Sequence, residues 1–147
     1  MDTVIEIHVP GEPAPQPRPR VYRTPKGIRA VSVQGKVKTW RERIILAAQQ
    51  QYVGPPLEGP LMLRIEFYLP RPKRLMRKKD PITPVPCDKK PDLDNLVKAV
   101  KDGLGTVVWH NDSQVASLHA SKYYAAKGGA TGARIVVRGK KPEESSE

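Results

Sequence analysis

Apolar positions along the chain follow two rhythms, the two-residue alternation of a half-buried strand and the three-to-four-residue recurrence of an amphipathic helix. Val4, Ile5, Ile7 and Val9 form a β-rich run that stops at the turn signal Pro10-Gly11, which predicts a short opening strand. Over residues 38–52, Trp40, Ile44, Ala47 and Ala48 keep helical spacing around Arg41, Glu42 and Arg43, with Gly54-Pro55-Pro56 as the stop. Leu61, Leu63, Ile65 and Phe67 then alternate with Met62, Arg64, Glu66 and Tyr68, a strand ending at Pro70. A second helix opens at Asp92: Leu93, Leu96, Val97, Val100 and Leu104 fall at helical intervals, and Gly103 and Gly105 suit its end. Beyond the apolar run 107–109, Asn111-Asp112-Ser113 marks a turn. Two more strands are expected at about 114–125 and 133–138, joined as a hairpin through the Gly-rich loop 127–132.

Two stretches carry neither rhythm. Residues 13–35 hold repeated prolines with Arg18, Arg20, Arg23, Lys26 and Arg29, and read as an extended, solvated basic loop spanning about 11–36. Residues 70–91 hold Arg71, Lys73, Arg74 and Arg77, then Lys78, Lys79, Lys89 and Lys90, and make a second basic loop. A long loop of this kind inside a compact domain is uncommon and usually functional or disordered, and phosphate contact is the function expected of all these cations. Residues 140–147 are charged, contain serines and read as a disordered tail. The 147 residues suffice for one domain. The expected layout is therefore a single α+β domain over 1–139, with a mixed sheet of about four strands and two main helices.

Composition narrows the class of partner. Lys and Arg total 26 against 15 Asp and Glu, a net charge of +11 that favours polyanions. Nucleic acid is the commonest such partner, because each neutralised phosphate releases counterions, but charge alone does not separate DNA from RNA or an anionic membrane. No run approaches the ~18–20 apolar residues of a membrane span, and Met1-Asp2-Thr3 does not begin a signal peptide, so a cytoplasmic protein is expected. Cys87 is the single cysteine, which excludes an intrachain disulfide and a Cys-based zinc site; it reads as an incidental loop thiol.

Candidate chemistry begins where the second loop enters the second helix. Asp92 and Asp94 are two residues apart; they share a side only if Asp92 is extended or caps the helix, since i and i+2 diverge within a regular helix. Mg²⁺ takes hard oxygens, commonly one or more carboxylates with waters and phosphate oxygens. Asp112 is the natural third carboxylate, provided the turn after Trp109 brings it back beside the helix start. Lys98, four residues after Asp94, can pair with that carboxylate or a phosphate, and Asp102 can orient Lys98. A bland reading covers the same residues: one Asp caps the helix, the other favours its dipole, and Asp94 with Lys98 is an ordinary pair. His110 beside the turn and Tyr22 in the first loop read as solvated side chains.

The string Asp92-Leu93-Asp94-Asn95-Leu96, Lys98, Asp102, Leu104, then Trp109, Asp112, Gln114 and Val115, resembles the RusA family of Holliday junction resolvases in order and spacing. The resemblance covers most of the chain, with the diagnostic residues in its latter half. It implies a small homodimeric, Mg²⁺-dependent endonuclease, with Mn²⁺ as a substitute ion and no small-molecule cofactor. Such an enzyme resolves four-way junctions by paired symmetric incisions in recombination and repair. It also implies that Asp92, Asp94 and Asp112 are the essential acidic residues and Lys98 the catalytic lysine; Asn95, Asp102 and Asn111 are candidate supporting residues. Family members often carry two aspartates at the turn where this chain has Asn111, whose amide oxygen could still coordinate. Two alternatives stay open: a noncatalytic nucleic-acid-binding module, which needs the cations but not the aspartates, and a metal-dependent nuclease for flaps or other branched substrates.

Overall fold

A computed structural model describes residues 2–17, 21–25, 27–30 and 35–142, without the side chains of 21–24 and 27–30. The opening alternation becomes β1 (Thr3–Pro10), whose Ile5, Ile7 and Val9 are buried. Within the first basic stretch lies a two-stranded antiparallel hairpin, β2 (Val21–Thr24) with β3 (Gly27–Ala30), where an unpaired extended loop was expected. Helix α1 (Lys36–Gln51) buries Trp40, Ile44, Ala47 and Ala48, the residues its periodicity selects. Strand β4 (Glu58–Leu69) is followed by a 3₁₀ turn at Lys73–Leu75 and the two-residue strand β5 (Val85–Pro86). Helix α2 (Leu93–Leu104), a 3₁₀ turn at Asp112–Gln114, β6 (Val115–Tyr124) and β7 (Gly132–Lys140) complete the order. Lys140, expected in the tail, ends the last strand opposite Glu58; residues 143–147 lie outside those described.

The five-stranded sheet has the order β1-β7-β4-β6-β5, and only β4 and β6 run parallel. The class is α+β with a mixed sheet, one strand larger than expected. The hairpin expected between the last two strands is absent: β4 lies between β6 and β7, and residues 125–131 arch over its end. The reason lies in the order β4, α2, β6. Parallel neighbours need a crossover of a dozen or more residues, and α2 supplies it, which leaves the other edge of β4 for β7. Gly132 makes the arch possible, since it sits at φ +157° and a Cβ there would lie 2.4 Å from the Val9 carbonyl oxygen.

The core is layered by register. Ile5, Val137 and Leu63 align across three strands, as do Ile7, Ile135 and Ile65, and then Val9, Ala133 and Phe67. Both helices cover this face, α2 through Leu96, Ala99, Val100 and Leu104. They meet closely at Gly103, where a Cβ would fall 2.6 Å from Ile44 Cγ2. On the other face Arg134 joins neighbouring strands, donating to Glu6 at 2.7 Å and Glu66 at 3.0 Å. No helix among the described residues is long and apolar enough to cross a membrane.

Candidate active site

The buried side of α2 is apolar, so its remaining positions project away from the core: Asp94, Lys98 and Asp102 are exposed and lie four residues apart on one stripe. Asp92 is the N-cap residue, with extended backbone at φ −68° and ψ 138°, as two cooperating carboxylates require. Its side chain makes no capping hydrogen bond, so the capping reading does not account for it. Asp94 Oδ1 accepts from the Asn95 amide at 3.0 Å. Lys98 Nζ stands 4.0 Å from Asp102 Oδ2, the partnership expected of Asp102.

The loop that delivers Asp92 is strapped to the sheet by a residue that periodicity alone leaves anonymous. Lys122, on β6, donates to the carbonyls of Lys89 and Pro91, the latter at 2.8 Å, while its own carbonyl accepts from the Cys87 amide. Cys87 is correspondingly buried with Leu69 and Tyr124, a correction to its reading as an incidental loop thiol. The only sequence signal for Lys122 was a cation in a strand, facing the side where Leu63 and Phe67 are buried.

Asp112 is placed by a different device. After Gly105 the chain turns sharply, with Thr106 at φ 75° and its amide bonded to the Trp109 carbonyl at 2.7 Å. Buried Trp109 donates from Nε1 to Asp112 Oδ1 at 2.8 Å. Asn111 caps the following 3₁₀ turn, its Oδ1 accepting from the Ser113 amide. Gln114 Oε1 accepts from the His110 and Asn111 amides, and its Nε2 donates to the Leu57 and Gly59 carbonyls. Asp112 therefore lies against the C-terminal end of α2, its Oδ1 3.2 Å from where a Gly105 Cβ would be.

That position corrects the expected folding-back. Twelve helical residues separate Asp92 from Gly105, a length of ~18 Å. The turn after Gly105 spends its residues on Trp109 and never returns to the helix start. Among the described residues no three His, Cys, Asp or Glu side chains gather to hold a metal ion. The chain instead brings Asp112 together with Asp102, Lys101, Arg41 and His110 around one cleft, and leaves Asp92 and Asp94 at the opposite end of the stripe.

The expected phosphate-seeking cations divide by role. Arg71 donates to four loop carbonyls, those of Leu75, Pro81, Thr83 and Ala125, and so shapes the second loop from inside. Arg74 packs over the Tyr124 ring, and Arg77 pairs with Asp80, whose carboxyl that hydrogen bond holds below its usual range. Lys73, Lys78, Lys79, Lys89 and Lys90 are exposed. Arg18, Arg20 and Lys26 lie outside the described residues, as do the side chains of Arg23, Arg29 and Tyr22.

The family model for endodeoxyribonuclease RusA matches residues 10–138, nearly the whole described chain. An uncharacterized protein of Bacillus subtilis (strain 168), YqaN, is 33% identical over 136 residues, covering 82% of this chain and 88% of the relative.

Proposed function

The chain belongs to the RusA family of endodeoxyribonucleases, and from that membership we propose that it is a Mg²⁺-dependent, structure-selective enzyme that resolves four-way DNA junctions in recombination and repair. The observation that carries the reading is the acidic stripe on the open side of α2 in a chain of net charge +11. Carboxylates on a surface that meets phosphates repel the ligand unless a cation lies between them. Asp92 and Asp94 suit a hard divalent ion, because both are exposed carboxylates and Asp92 is not spent on capping. Bound there, Mg²⁺, or Mn²⁺ with the same ligands, supplies Lewis acidity and an activated water. Lys98, held by Asp102, offsets charge on the phosphate oxygens, and the exposed loop lysines track the backbone.

Paired incision calls for two sites related by a two-fold axis, which a homodimer provides. Lys98 lies midway between Asp92 and Gly105 in α2. Across such an axis each subunit's Asp112 is proposed to serve its mate's Asp92 and Asp94. This arrangement completes the three-carboxylate set that one chain keeps apart.

Labelled four-way junction, linear duplex, flap and RNA, each incubated with Mg²⁺ or with chelator, test the reading. Symmetric nicking of the junction in Mg²⁺ alone is expected. Cleavage that survives chelation removes the metal, and equal cutting of linear duplex removes junction selectivity. Junction binding without cutting in any metal supports the noncatalytic module, which the separation of Asp112 from Asp92 favours.

A further inference from the structure

Arg41 gave no functional signal in sequence, because it sits inside a helix beside the buried Trp40. In the folded chain it is braced between both helices. Its Nη2 donates to Gln16 Oε1, and the Gln16 amide is itself hydrogen-bonded to the Asn95 carbonyl of α2 at 3.0 Å. The guanidinium is nonetheless under-satisfied. Arg41 Nε is shut off from solvent and has no acceptor, and among the described residues Arg41 forms no ion pair. A guanidinium stays charged and carries five donors, so a protein that half-buries one normally gives it an anion.

The cleft that it lines is open to solvent and holds a second cation, Lys101. Arg41 and Lys101 share with His110, Asn111, Asp102 and Asp112 an open cleft of ≈ 600 Å³ at the C-terminal end of α2. Of the two carboxylates there, Asp102 is offset by Lys98, while Asp112 keeps its charge and turns Oδ1 to the neutral Trp109 indole. We propose that this cleft is a phosphodiester-binding subsite, in which the fork of Arg41, supported by Lys101, grips a DNA backbone phosphate next to Asp112. The inference deepens the nuclease reading and rests on it for the identity of the polyanion as DNA. With Nε sealed from solvent, the contact is made by the Nη end of the guanidinium, whose in-plane donors can meet phosphate oxygens where a lysine supplies only a point charge. Gln16 holds that fork in register with α2, so the subsite links the first basic stretch to the acidic stripe.

The test is junction binding followed by fluorescence anisotropy in chelator, across ~50 to 200 mM NaCl, for wild type, Arg41→Gln and Arg41→Lys. Loss of one phosphate contact lowers the slope of log affinity against log salt by ~0.9, so Arg41→Gln is expected to show that drop and Arg41→Lys to keep the wild-type slope. A neutral methylphosphonate stepped through the positions flanking the cut adds a readout that a merely structural role would not move. At one position it weakens wild type and leaves Arg41→Gln unaffected. An unchanged slope in folded Arg41→Gln overturns the subsite. Should Arg41→Gln fail to fold, wild type and Arg41→Lys decide: equal tolerance of methylphosphonate at every position overturns it. Because the binding assay contains no metal, the two readings fail separately. A wild type that never cuts while Arg41→Gln loses its slope refutes the nuclease and keeps the subsite; a wild type that cuts while the slope stays refutes the subsite alone.

Discussion

Gln114 is a motif residue whose work is visible only in the folded chain, and replacing it offers a quantitative test. Its side chain makes four hydrogen bonds, two accepted from the His110 and Asn111 amides at 2.8 Å and two donated to the Leu57 and Gly59 carbonyls at 3.0 and 3.1 Å. Those bonds tie the turn that presents Asp112 to the entry of β4. At a net ~0.5–1 kcal/mol each, discounted for partial exposure, Gln114→Ala should destabilise by about 2–3 kcal/mol. For a domain of this size that lowers the melting midpoint by about 5–10 °C. Gln114→Glu separates acceptance from donation: its carboxylate still serves both amides but offers nothing to the two carbonyls, and it faces them with charge. It should be at least as unstable as the alanine variant at neutral pH. Urea unfolding of the three proteins measures this, and junction cleavage should fall in parallel as Asp112 loses its mounting. A Gln114→Ala stability within ~0.5 kcal/mol of wild type, the range of ordinary surface changes, would refute the reasoning.

Other consequences can be checked independently. Lys122→Met frees the Lys89–Pro91 strap and should weaken Mn²⁺ binding measured by calorimetry roughly tenfold, with partial rescue by Lys122→Arg; unchanged affinity would separate the strap from the Asp92 site. Mixing Asp94→Asn with Asp112→Asn subunits, each inactive alone, should restore nicking to about a quarter of the wild-type level if each site draws on both chains, whereas silence after confirmed exchange assigns Asp112 to its own chain. Gly132→Ala meets the Val9 carbonyl oxygen and a left-handed φ at once, so a loss above ~2 kcal/mol is expected in urea, and a neutral result would reject that close approach. Arg77 lowers the Asp80 pKa from its ordinary 3.8, so the ionised form is the one folding favours. Its contribution is complete above that value and disappears as pH falls through the lower folded one. The stability gap between wild type and Asp80→Asn should close in acid, and a gap independent of pH would exclude the ion pair as its source.

Much of the fold was legible because burial imposes its own period on the chain. Both helices and β1, β4 and β7 follow their apolar spacing to within a few residues, since a side chain that faces the core must recur at the pitch of its element, whereas β6, with little burial of its own, was bounded by its flanking turn signals. The motif residues Asp92, Asp94, Lys98 and Asp112 were equally plain as a pattern, while the extended backbone at Asp92 was only the condition for two carboxylates to share a side, which the fold meets. Strand neighbours were not, because alternation says which face is buried and nothing about which strand lies alongside; the crossover through α2, not the Gly-rich loop, put β4 between β6 and β7. Nor could spacing reveal hydrogen bonds to carbonyls far along the chain, so Lys122, Gln114 and Arg71 gained their roles only in the folded state. The site divides the same way. Sequence determined which acidic groups and cations exist and how α2 displays them. Tertiary structure decided that a straight helix and a Trp109-anchored turn hold Asp112 a helix length away from Asp92, beside Arg41, because a rigid element fixes the distance between its ends whatever its side chains require.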